Sequence, residues 1–522
     1  MPVTCHFSRL SAVFNATTLF SDISGTLFTQ PQGLVGPNGQ GKSVLFSLLA
    51  QRENPAEGTV RWARPFYYLP QRGAAPAATL AGALGIGDIL RAQQRLEAGD
   101  TDPELFALLA DSWEQNARAQ HILSDAGLGH LALTSDCRSL SGGEQTRLTL
   151  CLAFMQRDTF LLLDEPDSHL DSAGRRWLGK QLLEHRAGSL VISHDRTLLG
   201  QMSTIFELTA CGLNEYGGNY EVYATQQVRK QQALQAHEAR LTSQLRQEKQ
   251  EQQKREAKRA KRQQQGEKLR RDGSQATILL DGKKEWAEGR MAGVTQRNAR
   301  VINQLSAERR EVSEQRQIKD AQTLKIAAVA ASGRLMVHAN RLQLPSGNRQ
   351  AHSFDIYGGE HWHIAGRNGC GKSTLLRVLM GEVQPTAGAF SLHGRVCYLD
   401  QQLQLLDPTL STTEALCRYA PAVSAQTWRT HLGALRIRGE RGLLPPGRLS
   451  GGERLKVTLL ALTLAEPAPE ILILDEPDNA LDLDSKQLLE QALRDYRGAL
   501  LLVSHDEAFV AGCGITHTLR LE

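Results

Sequence analysis

One ordered set of four short motifs occurs twice in this chain, and that duplication limits its fold more than any property of composition. The first set reads G-P-N-G-Q-G-K-S at 36–43, L-S-G-G-E-Q at 140–145, L-L-L-D-E-P at 161–166 and S-H-D at 193–195. The second reads G-R-N-G-C-G-K-S at 366–373, L-S-G-G-E-R at 449–454, L-I-L-D-E-P at 472–477 and S-H-D at 504–506. Lys42 and Lys372 lie 330 positions apart, and Asp164 and Asp475 lie 311 apart. Four motifs do not recur in the same order by chance. The chain therefore holds two units of one kind, and each must build the same site.

Each G-x-x-x-x-G-K-S loop sits between an apolar run and a helix-forming run, as Gly33-Leu34-Val35 and Val44-Leu45-Phe46 show in the first copy. A strand–loop–helix setting is what a phosphate loop requires. The glycines Gly36, Gly39 and Gly41, with Gly366, Gly369 and Gly371, let backbone N–H groups around Asn38 and Asn368 turn inward. The helix N-terminus then adds positive potential. Lys42 and Lys372 are expected on the β- and γ-phosphates of ATP, and Ser43 and Ser373 on Mg2+. Asp164 and Asp475 end apolar runs, where a carboxylate can hold the metal directly or through water. Glu165 and Glu476 follow, placed to act as general base on the attacking water. His194 and His505 each come 30 positions after those aspartates and would sense the γ-phosphate. Gln71 and Gln401, after Tyr-Leu-Pro and Tyr-Leu-Asp, are positioned to contact Mg2+ and water.

The runs at 160–163, 189–192, 471–474 and 499–503 read as buried parallel strands, which makes both halves α/β. Gln71 and Ser141 are 70 positions apart, whereas Gln401 and Ser450 are 49 apart, so the first half carries about 21 extra residues around 89–127. That segment is rich in helix formers. It reads as an insertion reaching a partner or as a longer helical subdomain, the subdomain spanning about 85–145. Between the halves the composition shifts: residues 226–272 hold 14 Lys/Arg against 6 Asp/Glu, with many Gln and no Pro. A break near Asp272-Gly273-Ser274 and an apolar patch at 278–282 suggest two helices folding back on each other. An apolar seam of Val228, Leu234, Leu241 and Leu245 begins the pair and then fades. The expected division is a first domain at 1–224, a linker at 225–333 and a second domain at 334–522. No apolar run approaches the roughly 20 residues that span a bilayer, and no secretion signal opens the chain. The eight cysteines are scattered without a C-x-x-C pair, which points to reduced thiols in a cytoplasmic protein.

The L-S-G-G-E pair resembles the signature of the ATP-binding cassette superfamily. The fold it implies is α/β, with two tandem cassettes joined by a long charged helical hairpin. In that superfamily the signature serine and glycines bind the γ-phosphate of nucleotide held by the opposite cassette. The resemblance thus implies two composite sites inside one monomer. One joins Lys42, Asp164, Glu165 and His194 with Ser450, Gly451 and Gly452; the other joins Lys372, Asp475, Glu476 and His505 with Ser141, Gly142 and Gly143. Ser193-His194-Asp195-Arg196, the run Tyr216-Gly217-Gly218-Asn219-Tyr220 with Tyr223, and the charged linker resemble the ABC-F family. For that family the resemblance implies an ATPase whose linker reaches the ribosome and its tRNA, as a translation factor or a ribosome-protection resistance protein. The linker's excess of cations suits contact with an RNA backbone.

Several departures accompany the resemblance. Asp167 and Asp478 stand where the family has threonine, and a helix-dipole role explains them. Val44 replaces the hydroxyl residue that Thr374 supplies for the α-phosphate in the second copy, and Ala480 replaces a histidine. Phe14 is placed to stack on adenine in the first copy, with no aromatic counterpart at 346–348. Two competing readings are the energising subunit of a membrane transporter and a DNA-handling tandem cassette. The linker of about 110 residues weighs against the former, and the chain's ending 17 residues after His505 weighs against the latter.

Overall fold

The structure, a computed structural model, describes residues 2–14, 17–71, 78–110, 113–209, 211–271, 300–310, 312, 326–327, 333–347, 350–435, 437, 439–464, 466–479 and 481–521. Two compact units emerge: 1–223 with 322–522, and 224–321.

Within the first unit the strands of the first half are β1 Val3–Phe14, β2 Thr17–Phe28, β3 Pro31–Val35, β4 Glu57–Trp62, β5 Phe66–Leu69, β6 Phe160–Asp164, β7 Ser189–Ile192, β8 Thr204–Thr209 and β9 Gly212–Gly217. Those of the second half are β10 Leu335–Gln343, β11 His352–Tyr357, β12 His361–Gly366, β13 Ala387–Leu392, β14 Val396–Leu399, β15 Ile471–Asp475, β16 Ala499–Val503 and β17 His517–Leu521. Each half pairs a main sheet, ordered β5-β6-β7-β3-β8-β9 or β14-β15-β16-β12-β17, with a three-stranded antiparallel sheet, β2-β1-β4 or β11-β10-β13. The main sheets are parallel apart from β9.

The apolar runs earn their burial on both faces, as parallel strands do. Along β6, Phe160 and Leu162 pack with Phe7 and Phe20 of the antiparallel layer and with Phe46 of the helix Lys42–Leu49. Leu161 and Leu163, one residue out of phase, meet Leu150, Leu178 and Leu182 of the helices on the other side. The second half alternates likewise: Ile471 and Ile473 face one layer, Leu472 and Leu474 the other. Register then decides where the motifs emerge. Asp164 pairs with Ile192 and Leu34 also pairs with Ile192, so the phosphate loop, Asp164 and His194 leave one edge of the sheet together. Ligands of open α/β sheets bind at this carboxyl edge.

The extra length of the first half is helical: Gly87–Glu97, Pro103–Ala110 and Trp113–Asp125. Ile89, Ala92, Leu105, Leu109 and Leu123 are buried with Leu140, Leu148 and Cys151, so the segment forms a core of its own above the signature helix. Where the second half is shorter, Leu416, Trp428, Leu432 and Leu460 do the same with fewer helices.

The family marks at 216–223 have a plain structural role. Tyr216 and Tyr223 both donate hydroxyls to the buried carboxylate of Glu207, at 3.0 and 3.2 Å, with their rings 5.1 Å apart edge to face. Asn219 Oδ1 accepts the Val222 amide at 3.3 Å and so caps the helix that starts at Tyr220. That helix, Tyr220–Arg271, is 52 residues long. In the second unit Leu241 and Leu245 are buried and His237 lies 3.7 Å from Glu308, which sets the helical residues 300–310 beside the long helix. The expected seam is shorter than it reads, because Val228 is 53% exposed. The tip at 278–294 lies outside the described residues.

Candidate functional site

Both phosphate loops end on a glycine in the left-handed region, Gly41 at φ 88° and Gly371 at φ 104°, each the N-cap of the following helix. Only glycine holds that conformation without strain, and it turns the loop amides toward one point. Lys42 Nζ donates to the carbonyls of Gly36 at 2.7 Å and Pro37 at 3.2 Å and to Asn38 Oδ1 at 3.2 Å. Lys372 Nζ donates to the carbonyls of Gly366 and Arg367, both at 3.0 Å. Ser43 bonds Asp164, and Ser373 bonds Asp475. The other oxygen of each aspartate, Oδ1, is buried with no protein hydrogen-bond partner. A hydroxyl beside an unpaired buried carboxylate oxygen is a donor set that fits a hard divalent cation such as Mg2+.

Glu165 and Glu476 both adopt φ 49°, a region costly for a residue with a side chain, and such strain gathers at functional sites. Burial, reinforced by Asp164 and Asp475, raises both carboxyls above the usual range. Their partners differ. Gln71 Nε2 donates to Glu165 at 2.7 Å, whereas Glu476 takes its bond from Asn479 Nδ2 at 2.6 Å, and among the described residues none joins it to Gln401. Neither ring nitrogen of buried His194 has a partner, and His505 Nε2 lies 3.6 Å from Glu476. Burial and the neighbouring lysines push these imidazoles down to about 3 and about 4, so both are neutral at physiological pH.

The two halves meet around these loops. The Asn38 amide donates to Asp482 Oδ2 at 3.0 Å, and the Asn368 amide bonds Asp171 in the mirror position. Asn368 Nδ2 also donates to the His169 carbonyl at 3.0 Å. Arg196 pairs with Glu490 across the halves at 2.9 Å. Ser141 and Ser450 each cap a helix through a full capping box with Glu144 and Glu453. A Cβ placed on Gly143 would stand 3.0 Å from Asn368 Nδ2, so the first signature does face the second phosphate loop. Gly452 instead packs on Ser485 of its own half, and a Cβ on Gly142 would meet nothing within 4 Å. At the first site the halves are joined by the bonds of Asp482 to the Asn38 amide and of Lys486 to the His194 carbonyl. The side chain of Phe14 and residue Ala480 lie outside the described residues, whereas Ser346 Oγ bonds Thr374 Oγ1 at 3.0 Å.

The helix-dipole reading of Asp167 and Asp478 does not survive. The helix begins only at Ser172, capped by Asp171, and both aspartates are buried. Asp167 accepts Ser193 Oγ at 3.0 Å in a cluster with Arg175, Asp195 and Lys486. Burial pushes its carboxyl up to about 6, with Arg175 pulling the other way. The folded chain thus holds this proton more tightly than the unfolded one. The resulting stability is complete below about pH 4 and lost as pH rises through about 6. Asp167→Asn keeps an acceptor for Ser193. It is expected to raise stability by up to about 3 kcal/mol near pH 8 and to change nothing near pH 4, as thermal melts at the two pH values will show.

Two phosphate loops, each finished by groups from the opposite half, define a tandem phosphate-loop nucleotide-binding protein. A family model described as ABC transporter matches residues 22–168 and 349–479. The tylosin resistance ATP-binding protein TlrC of Streptomyces fradiae is 31% identical over 504 residues, 91% of this chain and 89% of that protein. The probable ATP-binding protein YheS of Haemophilus influenzae is 29% identical, covering 96% of this chain and 76% of its own length. Among solved structures, RNase-L Inhibitor aligns with a TM-score of 0.53 at 18% identity, covering 97% of this chain and 86% of that one, a likeness of fold alone. The chain belongs to the ABC-F family of tandem ATP-binding cassette proteins. It is an ATPase. Among the described residues no helix is long and apolar enough to cross a membrane.

Proposed function

We propose that ATP and Mg2+ bind at both loops, and that closure and hydrolysis there control the binding of the inter-cassette linker to the ribosome and its tRNA. The division into domains at 1–224, 225–333 and 334–522 belongs to this reading. Lys42 and Lys372 hold the β- and γ-phosphates, within reach of the inward-turned amides of each loop. Ser43, Asp164 and Gln71, or Ser373, Asp475 and Gln401, would hold Mg2+, which would neutralise phosphate charge. Glu165 and Glu476, kept in place by Gln71 and Asn479, orient the attacking water and take its proton. Their raised carboxyls suit that task near neutral pH. His194 and His505, both neutral, hydrogen-bond the γ-phosphate. Ser141 and Gly143 present a capped helix N-terminus to nucleotide on the second cassette, and closure brings Ser450 and Gly452 to the same role at the first. Contacts that need both cassettes shift the chain toward the closed state when ATP is present.

The observation that carries the ribosomal part is the 52-residue helix Tyr220–Arg271, which lies between the two cassettes in sequence and overlaps the stretch 226–272 with its 14 Lys/Arg against 6 Asp/Glu. Such a surface recognises phosphate backbone by charge rather than by base. Membership of ABC-F supports the same target, and the chain then acts as a translation factor or a ribosome-protection protein. Replacing eight of those Lys/Arg by Gln tests it with purified ribosomes at rising KCl. The expected result is weaker binding and a shallower fall of log K with log salt, by roughly 0.7–0.9 per phosphate contact removed. An unchanged affinity and slope would refute the linker as the contact.

A further inference from the structure

Lys486 lies in the helix Leu483–Arg494 of the second cassette and is 4% exposed. Its Nζ donates to Asp506 Oδ2 at 2.7 Å in its own cassette and to the carbonyl oxygen of His194 at 3.1 Å in the other. A buried ammonium needs compensation, and Asp506 with Asp478 provides it. The bond to His194 is not needed for that compensation. It fixes the backbone of a residue whose buried ring makes no hydrogen bond among the described residues.

The mirror position is not equivalent. Arg175 spends Nη1 on Asp195 at 2.7 Å and Nε on the Leu170 carbonyl at 3.1 Å. Among the described residues no hydrogen bond joins it to the His505 carbonyl. That oxygen accepts instead from Ser172 Oγ, a neutral donor at 3.4 Å. A charge-assisted bond is roughly twice as strong as a neutral one, and one near 3.4 Å is at the weak end of the range.

We propose that Lys486 is a positioning residue acting in trans, which holds the His194 backbone so that its imidazole faces the γ-phosphate only when the cassettes are docked, while His505 is tethered weakly. The two sites are then coupled unequally, the first depending more on the opposite cassette. This rests on reading His194 as the γ-phosphate contact.

The test isolates each site. Glu476→Gln confines turnover to the first site, and Glu165→Gln confines it to the second. Lys486→Met removes the amine. Lys486→Arg keeps the charge and the Asp506 pair but substitutes the fork that, as Arg175, makes no bond to the opposite carbonyl among the described residues. In the Glu476→Gln chain both changes should lower kcat by about fivefold to tenfold with KM for ATP within about twofold. In the Glu165→Gln chain Lys486→Arg should leave kcat within about twofold. Should Lys486→Met fail to fold, its thermal melt will show it, and Lys486→Arg decides. Equal losses at both sites, a change in KM alone, or full first-site activity in Lys486→Arg would make Lys486 only a counter-ion and overturn the proposal. His194→Ala in the Glu476→Gln chain separates the two ideas. Full activity there removes the reading of His194, whereas a loss there with none in Lys486→Arg removes the proposal alone.

Discussion

Replacing Glu165 and Glu476 together with glutamine is expected to cut ATP turnover by at least about a hundredfold while ATP binding persists. Glutamine keeps the shape and the hydrogen bond from Gln71 or Asn479, so the loops and their lysines stay in place. It cannot take a proton. Phosphate release measured beside binding of a fluorescent ATP analogue checks both halves of the statement. Turnover within threefold of wild type would move the general base elsewhere, with Gln71 and the histidines the next groups to examine.

Gly143→Val is expected to lower turnover at the second site by about a hundredfold and to spare the first. The position touches Asn368 Nδ2 and the His169 carbonyl, so a branched side chain must push the signature helix away from the second loop. A displacement near 1 Å at a reacting centre costs about 10²-fold. Measured in the Glu165→Gln chain, where only the second site works, the loss should appear in full; in the Glu476→Gln chain it should not. Equal losses in both would mean that the glycine supports the fold and not the composite site.

What the residue order makes legible is local chemistry. The phosphate loops, the Asp-Glu pairs and the flanking strands were readable because each depends on neighbours within a few positions. The capping boxes Ser141–Glu144 and Ser450–Glu453 follow from an equally local i, i+3 spacing, whereas the role of the signature pattern rests on the family resemblance. Cross-cassette pairs were not readable. Asn38 with Asp482, and Lys486 with His194, are separated by 444 and 292 positions, and only docking brings them together. Asp167 misled for a related reason: its place near a helix start suggested a dipole role, but the chain turns inward at Glu165 and buries it beside Arg175. Glu207, which anchors Tyr216 and Tyr223, carries no signal in a strand that otherwise reads as apolar. Val228 fits the apolar seam by spacing alone and is exposed, because past Tyr223 the long helix first buries a side chain at Leu241.

The most direct test of ATP-controlled ribosome binding is co-sedimentation of the Glu165→Gln, Glu476→Gln chain with purified ribosomes in ATP and in ADP. Retention in ATP, little in ADP, and loss of the ATP-dependent fraction when residues 226–325 are replaced by a neutral spacer is the expected pattern. A chain that binds ATP and yet stays in the supernatant under both conditions would contradict it.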